Sequence, residues 1–140
     1  MEPRVGYLVG RLDRLLRRRL GSALEPHGLS LAEYTTLSVL QARSGLSNAQ
    51  LARRSLITPQ AMNEVLGRLE ARRLVRRGVD PGHGRIRPAE LTASGKRLLS
   101  RADEAVEAVE EAMLRGVGGG DRARLRGLLA AALDGLGNGR

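Results

Sequence analysis

Between Ser47 and Thr92 the sequence switches from helical spacing to alternation, and few folds accommodate what that switch spells out. Ser47-Asn-Ala-Gln50 has the form of a capping box, opening a short helix that buries Leu51 and Ala52 and is spent by Ser55-Leu56-Ile57. Thr58 then supplies an N-cap and Pro59 a first helical residue, after which Met62, Val65, Leu66 and Leu69 fall on one apolar face. Leu74 to Val79 alternates like a strand, Asp80 to Gly84 is dense in turn residues, and Arg85 to Leu91 can return as a second strand. Pro88 has no N–H for a ladder, which puts that strand at an edge or interrupts it. The order is therefore short helix, tight turn, second helix, β-hairpin.

The flanks are helical. Val5, Leu8, Val9, Leu12, Leu15, Leu16, Ala23 and Leu24 recur at three-and-four spacing, with Arg11, Arg14, Arg17 and Arg18 largely on the other side. Residues 25–28 break this helix, and Ser30 with Glu33 reads as another capping box, opening a helix with Tyr34, Leu37 and Leu40 as its stripe. Thr92 caps a long helix carrying Leu98, Ala102, Ala105, Val106, Val109, Ala112 and Met113, which residues 116–120 end. Asp121 opens a last helix with Leu125, Leu128, Leu129, Ala132, Leu133 and Leu136 on one stripe, and the tail from Gly135 is expected to fray. These outer stripes are more extensive than the small core between them can cover, so they are expected to meet a second copy of the chain. Residues 1–28 and 92–140 are read as dimerisation helices and residues 29–91 as a separate functional region. The expected class is mostly α with a small β-hairpin (α+β).

Composition narrows the chemistry. With no Phe, no Trp and only two Tyr, the core has to be aliphatic, and the Leu and Ala that supply it favour helix. The absence of Cys excludes disulfides, thiolate metal sites and thiol redox sensing. His27 and His83 have no partners at metal-ligand spacing, so no metal and no cofactor is expected. No apolar run approaches a bilayer span and the N-terminus lacks a signal-peptide core; a soluble cytoplasmic protein is expected, without a membrane partner. Nucleophile elbows, phosphate-binding glycine motifs and apolar-set carboxylate pairs are all missing, which argues against an enzyme.

Charge points instead to a polyanion. The formal net charge is +9, and the stretch from Arg43 to Arg87 holds ten Arg against Glu64, Glu70 and Asp80, or +7 of that total. A helix-turn-helix rests one helix on a DNA backbone while the N-terminal part of the next enters the major groove. Thr58, Gln60, Ala61, Asn63 and Glu64 then lie on the leading side of the second helix. Gln60 and Asn63 carry the paired donor and acceptor that an adenine edge requires, and Thr58 suits a phosphate. Ser47, Arg53, Arg54, Arg68 and Arg76 are further candidates for DNA contact, while His83, Arg85 and Arg87 on the hairpin suit the minor groove. The bland alternative for the arginines, including Arg72, Arg73 and Arg77, is a solvated surface or an internal ion-pair network.

Residues 46–99 as a whole resemble the DNA-binding core of the MarR family of bacterial regulators. The marks are Leu51-Ala52, Arg68-Leu69-Glu70, Leu74-Val-Arg-Arg77, and Leu91-Thr92 followed by Gly95. The resemblance implies a homodimeric winged helix-turn-helix that reads a pseudo-palindromic double-stranded operator as a transcriptional regulator, by default a repressor. It also implies relief by a small aromatic or phenolic effector, with His27, Tyr34 and arginines of the first helix as candidates to line its cleft. Three positions depart from the family pattern: His83 stands where the wing usually has an aspartate, Glu64 where the recognition helix often has a basic residue, and Arg73 where a glycine usually closes that helix. The competing readings are a non-specific architectural DNA binder, or a winged-helix interaction module without DNA binding.

Overall fold

The computed structural model describes residues 1–79, 82, 84 and 88–137. Helix α1, Val5–Leu24, ends in a 3-10 turn at Glu25–His27, and Gly28 takes a left-handed φ of 67° that reverses the chain. Helix α2, Leu31–Ala42, starts on the expected capping box: Ser30 Oγ accepts from the Glu33 N–H at 3.1 Å while the Ser30 N–H donates to Glu33 Oε1 at 2.8 Å. The same reciprocal pair opens α3, Asn48–Arg54, between Ser47 and Gln50. Helix α4, Pro59–Ala71, is capped by Thr58 Oγ1, which accepts from the Ala61 N–H at 3.1 Å.

Both α3 and α4 stop by the same device. After α3, the Leu56 N–H reaches the Arg53 carbonyl and the Ile57 N–H the Ala52 carbonyl; after α4, Arg73 bonds to Glu70 and Leu74 to Leu69. These are Schellman closures, which put one residue in the left-handed region and usually spend a glycine on it. Here the residues are Leu56, at φ 62°, and Arg73, at φ 58°. The second is held from outside as well, because Thr92 Oγ1 donates to the Arg73 carbonyl at 2.7 Å. Arg73 thus keeps the backbone that glycine would give, at a cost of about 1–2 kcal/mol.

Among the described residues the ladder runs between β1, Val75–Arg76, and β2, Glu90–Leu91, antiparallel with Val75 opposite Leu91 and Arg76 opposite Glu90. Pro88 precedes this pairing and lies outside it, as its missing N–H dictates. Helix α5, Ala93–Met113, follows at once, with Thr92 Oγ1 accepting from the Gly95 N–H at 3.0 Å. At Gly95 the helix presses on the hairpin so closely that a Cβ would sit 2.1 Å from the Leu74 carbonyl oxygen.

Helix α6 spans Gly119–Gly135, so it opens before Asp121 rather than at it. The reason lies in Arg122, whose guanidinium donates to the Val117 and Leu114 carbonyls, each at 3.0 Å, and to both carboxylate oxygens of Glu111 at 2.8 and 2.9 Å. That clamp satisfies carbonyls freed at the end of α5 and starts α6 in the glycine stretch, leaving Asp121 in the first turn, where it complements the helix dipole.

The core is aliphatic and continuous. Leu24, Leu37, Leu51, Met62, Leu66, Leu69 and Leu99 are fully buried in one cluster that also takes in Val75 and Leu91 of the hairpin. Helix α2 sits at its centre against α1, α3, α4 and α5, and α1 lies along α5. The expected stripes of α3 and α4 are buried as read, whereas Val5, Leu8, Leu12 and Leu15 of α1, Leu128 and Leu133 of α6, and Leu136 just after it face outward from the single chain. Among the described residues no helix is long and apolar enough to cross a membrane.

Candidate nucleic-acid interface

Leu51 and Ala52 of α3 and Met62 and Val65 of α4 lie in the core, with Ile57 of the turn packed against it; together they fix the angle between the two helices. The opposite side of α4 is then an exposed strip running Gln60, Asn63, Glu64, Gly67 and Arg68, with Ala61 half-buried at its edge. The Thr58 hydroxyl accepts from the helix and can still donate to a phosphate; Ser47 Oγ is placed in the same way on α3. Asn63 is not unattached, since its Oδ1 accepts from Asn48 Nδ2.

The arginines divide into three groups. Arg53 and Arg54, in the last turn of α3, are exposed, and among the described residues neither has an ion-pair partner. Arg68 lies 3.7 Å from Glu33, and Arg76 lies 3.5 Å from Glu90 across the hairpin, both in loose pairs that leave the arginine more than half exposed. Arg72 and Arg77 are engaged within the chain: the first, exposed, donates to the Gly28 carbonyl at 2.6 Å and the second, largely buried, to Glu70 at 2.6 Å. An ion pair within the fold thus accounts for Arg77, and a backbone contact for Arg72. The wing candidates His83, Arg85 and Arg87 lie outside the described residues.

His27 and Tyr34 occupy different settings. His27 ends the 3-10 turn, half-buried, while the Tyr34 hydroxyl donates to Asp103 and ties α2 to α5. Burial first, and then the bond to the Asp103 carboxylate, push the Tyr34 phenol up to about 12, so at neutral pH it is a neutral donor already in use. A cleft of about 200 Å³ opens between α1 and α5, lined by Leu12, Leu15, Leu16, Arg19, Val109, Ala112 and Met113; His27 and Tyr34 lie outside this lining. The sequence does contain a signal for Arg19: it continues the Leu12, Leu15, Leu16 spacing, a cation on an apolar stripe. Asn48 gives no comparable signal, because only the packing of α3 on α4 brings it to Asn63.

The sequence profile of the MarR family matches residues 27–86. The HTH-type transcriptional repressor Rv2887 of Mycobacterium tuberculosis is 44% identical over 110 residues, which cover 79% of either chain. The chain belongs to the MarR family. Among MarR structures, that of the Mycobacterium tuberculosis protein Rv2887 in complex with DNA superposes with a TM-score of 0.80 at 36% identity, covering 94% of this chain and 98% of the other. The structure of the same protein with salicylic acid gives 0.79 at 37% identity, over 94% and 97% of the two chains. In the frame of the MarR fold, α3 and α4 are the helix-turn-helix and the hairpin is the wing.

Proposed function

We propose that this MarR family protein is a dimeric, sequence-specific DNA-binding repressor, released from its operator by a small aromatic or phenolic acid. The observation that carries the reading is the capped α4, anchored by a fully buried apolar face and presenting Gln60 and Asn63 near its N-terminal end. A recognition helix meets base edges with that end, and carboxamides match adenine N6 and N7. Arg53 and Arg54, beside it and without acidic partners among the described residues, serve phosphates, with Ser47 and Thr58 donating from the starts of α3 and α4. Arg68 and Arg76, each more than half exposed in a loose ion pair, turn to phosphates, and His83, Arg85 and Arg87 reach the minor groove from the wing. Residues 29–91 then carry DNA contact, while residues 1–28 and 92–140 pair two copies and set the spacing of two α4 helices across a pseudo-palindrome.

The effector enters the α1–α5 cleft, where Arg19 pairs with a carboxylate and the leucines and Met113 cover the ring. An acid lodged there changes how α1 lies on α5, and hence the spacing of the two recognition helices. The salicylic acid complex of the related Mycobacterium tuberculosis protein supports this ligand class.

Selection from a pool of random duplexes tests the reading. A single pseudo-palindromic sequence is expected, bound at least a thousandfold more tightly than scrambled DNA at the same salt, with salicylic acid lowering occupancy in the parent but not in Arg19→Ala. Equal affinity for all duplexes would instead make the protein an architectural DNA binder.

A further inference from the structure

On the exposed strip of α4, Asn63 is held by another side chain, and that hold determines what it offers. Asn48 is the first residue of α3, and the Ser47–Gln50 capping box on either side fixes its backbone. From there Asn48 Nδ2 donates to Asn63 Oδ1. An unattached carboxamide presents one donor and one acceptor edge and so matches adenine. Asn63, with its oxygen turned toward α3, presents mainly its NH₂. We infer that Asn48 is a positioning residue for base reading, holding Asn63 as a donor that favours bases whose polar major-groove atoms are all acceptors, guanine N7 and O6 or thymine O4, over the mixed donor and acceptor edge of adenine.

The inference rests on the reading of α4 as the recognition helix, and it makes a demand that reading does not. Asn48→Ala leaves the Asn63 oxygen unheld, so preference at the base pair contacted by Asn63 shifts toward adenine. Asn48→Asp keeps the shape but can only accept; it draws the Asn63 NH₂ inward, turns its oxygen outward, and moves preference to the donors adenine N6 and cytosine N4.

The test is base preference, measured by selection from random duplexes with the parent, Asn48→Ala, Asn48→Asp, Asn63→Ala and the Asn48→Ala/Asn63→Ala double variant. Affinity for scrambled DNA serves as the reference, so that the added charge of Asp cancels. Each Asn48 variant is expected to alter preference by on the order of threefold to tenfold at the base pair that Asn63→Ala also alters, with no further change in the double variant. Unchanged thermal midpoints would show that the fold is intact. If Asn63→Ala alters preference and the Asn48 variants do not, the assignment of Asn48 is overturned while the recognition helix stands. Additive effects in the double variant also overturn it, because Asn48 would then touch DNA itself. A silent Asn63→Ala removes the sequence-reading role of Asn63, and this inference with it.

Discussion

Helices α4 and α6 have similar sequence patterns and opposite fates. The four apolar residues of the α4 stripe are at most 3% exposed, whereas no residue of α6 is buried and Leu128, Leu129, Leu133 and Leu136 stand 61, 44, 58 and 95% exposed. The difference teaches that an apolar stripe announces a covered face without naming what covers it. Helix α4 is joined to α3 by a tight Schellman turn and to the hairpin by another, so its own chain closes over it. Helix α6 hangs from the end of α5 by the Arg122 clamp, and the single chain leaves its leucines uncovered.

Truncating one leucine in each helix should separate them most widely. Leu66→Ala is expected to cost about 2–5 kcal/mol in denaturant unfolding, the usual effect of emptying a packed core site. Leu133→Ala paired with Leu129→Ala should leave the fold intact and weaken self-association, read by sedimentation over a dilution series. Equal loss of fold stability in both cases would break the contrast.

Backbone contact provides a smaller effect of the same kind. Gly95 has no room for a Cβ against Leu74, so Gly95→Ala should destabilise by about 1–3 kcal/mol as the wing and α5 are forced apart. Gly67, on the exposed strip of α4, has nothing within 4 Å, and Gly67→Ala should stabilise the protein by up to about 1 kcal/mol through helix propensity. Thermal unfolding of the two variants should move in opposite directions.

The smallest effect concerns the left-handed residue that closes α4. Arg73→Gly relieves its strain, and the gain of about 1 kcal/mol should be visible in denaturant midpoints without a change in DNA specificity. A loss of stability would show that the Arg73 side chain contributes more than its backbone costs.

What the sequence discloses is what neighbours along the chain decide. The caps at Ser30, Ser47, Thr58 and Thr92 are each made within three residues, and all are where the motifs place them. The buried face of α4 and the exposure of Gln60, Asn63, Arg53 and Arg54 follow from helical period alone. Tyr34 bonded to Asp103, Arg68 beside Glu33 and Asn48 on Asn63 join residues from different elements, and only packing reveals them. The start of α6 was hidden for the same reason: the glycines argue against helix, and the Arg122 clamp that overrides them depends on the carbonyls at the end of α5.

The pairing of α1 with α5 has a consequence for how the molecule comes into being. Leu24, at the end of α1, is sealed in one cluster with Leu99 and Ala102, which emerge from the ribosome only after the whole winged region. Contacts between distant parts of a chain are paid for in loop-closure entropy before they return anything, so this seam should form late and limit the folding rate. Until it forms, α1 is an uncovered amphipathic helix on a growing chain. Once it forms, α1 and α5 bracket the winged region between them, and unfolding that region means releasing both helices together.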